Sequence, residues 1–272
     1  MPAGLTRDQL IASAQGTYQQ RLRDARERLD VFIELCARDQ DGKQIYLAPL
    51  HRAWVWHVAY CWERGLRAII LAPFGSGKST TFAVPLAAWL LGKNRQNRLQ
   101  VVSNGDTYAK QRVASAKQIL ESPTYQDVFP HIRKGLKWGE HELFVKREGF
   151  DPNPSLAAHG VSTMGVGTRS DATIFDDVCD ELNVSAEDRR KKIKGLVSNT
   201  WMSRLDPIEG RVLWIATPWH VDDATAEQMN HPLSCTLIQR VAPDFLHYDQ
   251  EVINAGADYT LPPEVNPPSR SR

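Results

Sequence analysis

The sequence predicts an α/β fold with a mostly parallel central sheet flanked by helices. Beyond Gly65, short apolar runs alternate with stretches of helical periodicity. Residues 67–72 precede a helical pattern over 78–91, and residues 99–103 precede a second one from about 107 to 120. This alternation is typical of β-α-β units, in which a helix connects two parallel strands. We therefore expect one sheet that is built mainly from such units.

Length and composition limit the class of protein. The 272 residues correspond to one large domain or two small ones, since a domain takes roughly 150 residues. Apolar residues make up 42% and charged residues 24%, as in ordinary soluble globular proteins. No apolar stretch reaches the roughly 20 residues that span a bilayer, so we expect no membrane contact. The 33 Lys and Arg nearly balance the 32 Asp and Glu, which excludes a polycation that coats nucleic acid.

The cellular compartment is predicted from two further observations. The amino terminus lacks the pattern of a secretory signal, and the four cysteines lie far apart in the sequence. We therefore expect a cytoplasmic protein in which all four cysteines are free thiols.

The other elements follow in chain order. Residues 6–40 carry apolar side chains at helical spacing among many charges, so we expect an amino-terminal helical arm or lid over 1–44. The main domain is expected at 45–240. Within it, strands are predicted at 142–146, 155–161, 172–175, 211–216 and 235–239, and a long helix capped by Ser185 at 185–205. From 241 to 272 the periodicity is lost and the proline-rich end is typical of a linker.

The strongest functional signal is the glycine-rich stretch 72–79, Ala-Pro-Phe-Gly-Ser-Gly-Lys-Ser. It matches the phosphate-binding pattern G-x-x-x-x-G-K-[ST], except that Ala72 replaces the first glycine. Backbone N–H groups of such a loop surround phosphates, while Lys78 adds positive charge and the Ser79 hydroxyl binds Mg²⁺. The alternative is a strand-to-helix turn that binds no ligand. The predicted ATP contacts are Pro73, Phe74, Gly75, Ser76, Gly77, Lys78, Ser79 and Thr80.

Two acids follow a predicted strand about a hundred residues later. A phosphate loop needs a carboxylate on a neighbouring strand to hold the Mg²⁺ ion, and residues 172–175 lead directly into Asp176 and Asp177. We expect Asp176 to hold the metal and Asp177 to polarise the attacking water. The alternative is a strand followed by an acid that caps a helix. This order of motifs resembles that of P-loop NTPases of the additional-strand type.

A hydroxyl ends the next predicted strand. Thr217 follows 211–216 and precedes Pro218. At the tip of a strand beside the metal-binding strand, this hydroxyl can hydrogen-bond the γ-phosphate or its water and so sense hydrolysis. The alternative is a threonine that ends a strand before a proline turn.

Together these motifs resemble the ATPase domain of the large terminase subunit of tailed bacteriophages. The resemblance covers roughly residues 45–245 and includes Trp138 with 142–148, the stretches 155–161 and 167–169, the two aspartates, and 216–220 followed by Asp222 and Asp223. It implies an ATP- and Mg²⁺-dependent motor that moves double-stranded DNA into a procapsid. It also implies a portal protein, a small terminase subunit and a ring of copies as partners, in the host cytoplasm at the portal vertex.

The second, ribonuclease-H-like domain of that family is expected to be absent, because the sequence ends where it would begin. We therefore expect no nuclease activity from this chain.

Two family features carry over with departures. His51 stands where the family has an adenine-contacting glutamine, and the alternative is a surface histidine that caps the following helix. Arg169 matches the arginine that family members donate to a neighbouring subunit, although its spacing to Asp177 is short by a residue or two. The alternative for Arg169 is a salt bridge with Asp171 or Asp176.

Two basic clusters are candidate DNA contacts, since phosphate contacts bind without reading sequence. One is the run from Arg189 to Lys194, and the other comprises Lys110, Arg112 and Lys117. The alternative for both is a solvated helix face. Trp54, Trp56, Trp62 and Trp89 are interpreted as core or arm packing.

Two rival functions remain at this level. One is a helicase-like ATPase that nucleic acid stimulates, because Ala216-Thr217-Pro218 is similar to a helicase coupling motif. The other is an assembly factor that binds ATP without hydrolysing it.

Overall fold

The computed structural model describes residues 7–163, 168–241 and 248–262. In this part of the chain, nine strands form one sheet and nine α-helices surround it. The strands are β1 Arg67–Leu71, β2 Leu99–Ser103, β3 Lys134–Trp138, β4 Glu142–Val145, β5 Leu156–Gly160, β6 Ala172–Asp176, β7 Arg211–Ala216, β8 Ser234–Val241 and β9 Tyr248–Ile253. The helices are α1 Arg7–Glu27, α2 Leu29–Cys36, α3 Pro49–Glu63, α4 Val84–Lys93, α5 Asp106–Glu121, α6 Pro123–Val128, α7 Glu181–Val184, α8 Glu187–Leu196 and α9 Ala224–Met229.

The sheet is mostly parallel, as the sequence predicts. Its order is β3-β4-β5-β2-β6-β7-β1-β8-β9, and the six strands from β5 to β8 run parallel. Antiparallel strands extend it at both edges, β3 and β4 on one side and β9 on the other. No helix in the described ranges combines the length and apolar character needed to cross a membrane.

Parallel order brings the carboxyl ends of the central strands to one edge of the sheet. β7 lies between β6 and β1, and β2 lies on the other side of β6. The loops that leave β1, β2, β6 and β7 therefore meet at this edge, where open α/β sheets usually bind ligands. The residues at these four strand ends form the candidate site.

The buried central strands were predictable, and two strands at the ends of the strand order were not. The five strands expected between 142 and 239 are confirmed as β4 to β8, with ends shifted by a residue or two. β3 was missed because its sequence, Lys-Gly-Leu-Lys-Trp, is polar and mostly solvent-exposed. β9 was missed too, so the expectation of a linker from 241 onward is wrong for Tyr248–Ile253, which pairs with β8. The linker's residues 242–247 and 263–272 lie outside the described ranges.

Two predicted helices are interrupted. The helix expected over 78–91 begins as a π-helical segment, Lys78–Ala83, before α4. The long helix expected over 185–205 divides into α8, a π-helical segment Val197–Trp201 and a short 3₁₀ turn. Ser185 does not cap its start, because its hydroxyl donates to the carbonyl of Leu182 at the end of α7.

The predicted amino-terminal arm forms α1 and α2, and α2 belongs to the core. Phe32 and Ile33 of α2 are fully buried. The indole of Trp89 on α4 donates to the carbonyl of Ala25 at 3.0 Å, which connects the first helix to the main body. The packing roles expected for the four tryptophans are confirmed, since Trp54 is fully buried and the other three pack against the same core.

Candidate functional site

The loop after β1, residues 72–77, is called here the glycine-rich loop. Gly75 and Gly77 have φ angles of 78° and 83°, in the left-handed region that glycine adopts without strain. In the described part of the chain, their N–H groups donate to no protein acceptor. The hydroxyl of Ser76 is buried and also lacks a hydrogen-bond partner there. The loop therefore presents three unused polar groups next to the start of the π-helical segment.

His51 supports this loop from beneath. Its Nδ1 accepts a hydrogen bond from the Ala48 N–H at 3.2 Å, so Nε2 carries the proton and donates to the Ser76 carbonyl at 2.9 Å. Burial lowers the pKa of His51, which keeps the ring neutral as this pattern requires. The helix-capping alternative for His51 is thus observed at the start of α3, combined with a contact to the loop.

The outer residues of the loop have open surroundings. Pro73 accepts a hydrogen bond from the Ser76 N–H at 3.3 Å, and Phe74 has 93% of its surface exposed. Thr80, on the π-helical segment, borders a separate cavity of about 650 Å³ beside residues 36–45. Phe74 lines the same cleft as Asp176 and Asp177, whereas Thr80 lines this separate cavity.

Asp176 is the buried centre of the site. Its carboxylate has no exposed surface. Oδ1 accepts a hydrogen bond from the Ser79 hydroxyl at 2.6 Å, and Oδ2 accepts one from Arg112 Nε at 2.5 Å. A carboxylate removed from water needs such partners, because an isolated buried charge costs several kcal/mol. The predicted metal pair, Ser79 and Asp176, is therefore assembled, with an arginine that the sequence did not place there.

Asp177 lies at the mouth of the site in a strained conformation. Its φ of 47° lies in the left-handed region, which is uncommon for residues other than glycine. Residues in such conformations are concentrated at functional sites. Its Oδ2 lies 3.3 Å from Lys78 Nζ, and its Oδ1 accepts a hydrogen bond from the Thr217 N–H at 3.0 Å. Burial raises the pKa of Asp177, with a smaller opposing effect from Lys78.

Thr217 completes the group. Its hydroxyl accepts a hydrogen bond from Lys78 Nζ at 2.9 Å, and β7, which it follows, neighbours β6 as expected. Lys78 is buried, with only 5% of its side chain exposed. The structure thus brings together five predicted residues from three strand ends: Lys78, Ser79, Asp176, Asp177 and Thr217.

Three of these five residues line a cleft of about 460 Å³. Its rim carries exposed aromatic side chains, including Phe74, Tyr108 and Trp219. Its floor carries Asp176, Asp177 and Thr217. Asn104, after β2, also lines the cleft and donates to Asp180 at 2.7 Å. Asn104 was not predicted as a site residue, and its position directly after a parallel strand was the available signal.

The oxygen ligands of the site fit Mg²⁺. The Ser79 hydroxyl and the Asp176 carboxylate are hard donors within hydrogen-bond distance of each other, and Mg²⁺ is usually bound by one or two carboxylates together with phosphate oxygens. The buried Ser76 hydroxyl of the glycine-rich loop, which has no partner among the described residues, is a further polar group for a ligand oxygen.

A second group of potential metal ligands lies away from this edge. Among the described residues, His57, Cys61 and Cys235 are buried with their ligand atoms within 4.8 Å of one another. Both ring nitrogens of His57 are hydrogen-bonded, to the Tyr259 hydroxyl at 2.8 Å and to the Ile69 carbonyl at 3.1 Å. We interpret this group as core packing. The expectation of four free thiols is confirmed.

Arg169 does not join the site of its own chain. Arg169 precedes β6, whereas Asp176 is the last residue of that strand, so the two residues lie at opposite ends of β6. The salt-bridge alternative is wrong, because Asp171 pairs with Arg98 and Asp176 pairs with Arg112. Arg169 is solvent-exposed, and its backbone N–H donates to Asn153 at 3.1 Å. Gly167 of the same motif lies outside the described residues.

Most side chains of the two basic clusters have partners within the protein. Arg190 and Lys194 pair with Asp222, and Lys191 lies 2.6 Å from Glu187. Arg112 binds Asp176 through Nε and lines the cleft, so it belongs to the candidate site rather than to a solvated basic helix face.

Neither a scan against models of known protein families nor a search of the curated proteins finds a match for this sequence.

Proposed function

We propose that this chain is the ATP-hydrolysing motor domain of a viral large terminase, a P-loop ATPase of the additional-strand type that drives double-stranded DNA into a procapsid. The observation that carries the proposal is the meeting of Lys78, Ser79, Asp176, Asp177 and Thr217 at one edge of a parallel sheet. These residues come from motifs up to 139 positions apart in the sequence.

The strand order supports the additional-strand class. β7 lies between β1, which leads into the glycine-rich loop, and β6, which ends in the two aspartates. One inserted strand between these two is the arrangement that this class implies. The end of the inserted strand carries Thr217, at the position expected for a sensor of the γ-phosphate.

Each residue has a role that its contacts support. The free amide groups of Gly75 and Gly77 can donate to phosphate oxygens. Ser79 and Asp176 would hold Mg²⁺, which neutralises charge that develops on the phosphates. Lys78 adds a positive charge beside them. Asp177 has a pKa raised by burial, which suits a group that accepts a proton from water.

The ion pair between Lys78 and Asp177 couples binding to catalysis. Lys78 Nζ is shared between the Asp177 carboxylate and the Thr217 hydroxyl. A phosphate group competes with Asp177 for the lysine, because both are anionic acceptors. Binding of ATP therefore releases the carboxylate, which becomes free to position and deprotonate water.

The wider assembly belongs to the same proposal. A ring of copies on the portal protein, a small terminase subunit and double-stranded DNA are the proposed partners, in the host cytoplasm at the portal vertex of the procapsid. The order of the sequence motifs supports these proposed partners and this location. A motor of this kind differs from a helicase-like ATPase in its response to DNA: linear duplex should stimulate hydrolysis more than single strands of equal length.

The variant Asp177→Asn tests the proposal. Asparagine tolerates the left-handed backbone and can still accept the Thr217 N–H, so the site should keep its shape. We expect ATP binding to be retained and hydrolysis to fall by at least about 10², the usual contribution of a positioned base. Isothermal titration and phosphate release measure the two quantities.

Glu181→Gln is the matched control, because Glu181 lines the same cleft without a hydrogen bond or ion pair to any described residue. Its hydrolysis rate should equal that of the wild type. Hydrolysis by Asp177→Asn within about threefold of the wild type would exclude the proposed role. A wild type that binds ATP without turning it over would favour an assembly factor instead.

A further inference from the structure

An arginine on α5 forms part of the cleft wall. Nε of Arg112 donates to Asp176 Oδ2 at 2.5 Å, and the other oxygen of this carboxylate binds Ser79. The Asp176 side chain is completely buried, whereas 21% of the Arg112 side chain is exposed. On the core side, the pair adjoins a small crevice lined by apolar side chains such as Ala87, Val101 and Ile174. Arg112 is therefore anchored at its inner end and open to the cleft at its outer end.

The outer end carries two unused donors. In the described part of the chain, neither terminal nitrogen of Arg112 donates a hydrogen bond, and neither is buried without a partner. Both nitrogens are therefore available to a ligand in the cleft. The fixed, planar fork of an arginine matches the geometry of phosphate oxygens.

The charge of the cleft explains why such a donor is needed. Of the described residues that line it, four are acids and one is a cation: Asp176, Asp177, Asp180 and Glu181 against Arg112. Lys78, behind them, is engaged with Asp177 and Thr217. These carboxylates would repel a triphosphate that enters the cleft. Arg112 is the cation placed to offset this repulsion.

We propose that Arg112 is a catalytic residue that binds the terminal phosphoryl group of the nucleotide from within the same chain. It uses the two amino groups that its bond to Asp176 leaves free. The inference rests on the proposed ATPase function and adds a residue to it. It differs from the role expected of Arg169, because Arg112 needs no neighbouring subunit. It also differs from a purely structural role, in which Arg112 only neutralises Asp176.

Arg112→Lys separates these roles. Lysine keeps the positive charge next to Asp176 but lacks the fork that reaches the phosphate. With Mg²⁺ present, isothermal titration would compare ADP with β,γ-imido-ATP, which differ in the terminal phosphoryl group. We expect the affinity for the triphosphate to fall at least about tenfold while that for ADP stays within about twofold, since bonds to charged groups contribute on this scale. Lys110→Gln, on the same helix but outside the cleft, should change neither affinity.

A second measurement needs no variant. Phenylglyoxal modifies exposed arginines, and mass spectrometry of the wild type would give the fraction of Arg112 modified. We expect β,γ-imido-ATP to protect Arg112 more than ADP does when both are saturating. Equal protection, or unchanged triphosphate affinity in a folded Arg112→Lys protein, would overturn the inference and leave the proposed ATPase intact. A wild type that binds neither nucleotide would overturn both.

Discussion

Replacing Gly77 by alanine tests the observed shape of the glycine-rich loop. Gly77 has a φ of 83°, and a Cβ atom there would lie 2.7 Å from the Thr81 hydroxyl. Gly75 is a natural control, because its φ is 78° but an added Cβ would meet nothing within 4 Å. The two substitutions share the backbone strain and differ in the steric contact.

The expected loss of stability follows from the backbone strain and from the steric contact. A left-handed conformation costs a residue with a side chain about 1–2 kcal/mol, of which about 0.4–1 kcal/mol is recovered because alanine restricts the unfolded chain. Gly75→Ala should therefore destabilise the protein by about 1 kcal/mol. At Gly77 the Thr81 side chain must also turn away from its preferred position, which adds about 0.5–1.5 kcal/mol. We expect Gly77→Ala to be the more destabilising variant by about 1 kcal/mol.

Urea unfolding measures the free energy of unfolding of both variants, which are compared when it depends on urea concentration with the same slope. Fluorescence titration with a nucleotide measures binding. Removing the clashing hydroxyl in Gly77→Ala/Thr81→Ala should recover most of the difference, because neighbouring sites couple in a double-mutant cycle. Equal stability of the two alanine variants within about 0.3 kcal/mol, or no recovery in the double variant, would refute the loop geometry argued here.

Three further predictions concern pH and assembly. In the proposed mechanism the ionised form of Asp177 accepts a proton, and burial raises the pKa of this residue, so kcat/KM should fall with decreasing pH already above about 3.9, the ordinary pKa of an aspartate; a rate that stays constant down to that value would contradict the proposed role. Burial lowers the pKa of His57 to about 4, so its contribution to stability is fully present above about pH 6.5 and is lost as the pH falls toward 4. Urea unfolding over this pH range should show a loss of about 3 kcal/mol, whereas a stability that does not change with pH would contradict the burial of His57. If Arg169 acts on a neighbouring subunit, mixing inactive Arg169→Ala and Lys78→Ala proteins should restore phosphate release, whereas no recovery would remove Arg169 from the site.

The sequence was sufficient to predict the site residues whose positions depend only on one strand and the end of that strand. Asp176 follows an apolar run that becomes β6, and Thr217 follows one that becomes β7. Parallel strands bring such ends to a common edge, so the meeting of these residues with Lys78 and Ser79 follows from local patterns. The glycine-rich loop needs only its own spacing, since Gly75 and Gly77 supply the left-handed turns.

The contact between Arg112 and Asp176 could not be predicted in this way. The two residues are 64 positions apart, and they meet because β2 lies next to β6. Strand order depends on packing of the whole sheet rather than on any local pattern. The left-handed backbone of Asp177 is similarly imposed by its surroundings: its N–H donates to the carbonyl of Ile215 while its carboxylate accepts from Thr217.

The two ion pairs of the site differ in a way that orders the events of binding. Arg112 and Asp176 are 2.5 Å apart with the carboxylate fully buried, so breaking this pair would leave a buried charge alone, which costs about 3–5 kcal/mol. Lys78 and Asp177 are 3.3 Å apart, and a third of the Asp177 side chain is exposed, so water can solvate that carboxylate once the lysine leaves. A phosphate therefore displaces Asp177 from Lys78 more easily than it displaces Asp176 from Arg112. In the proposed mechanism, a nucleotide that displaces Asp177 from Lys78 would leave Arg112 anchored to Asp176.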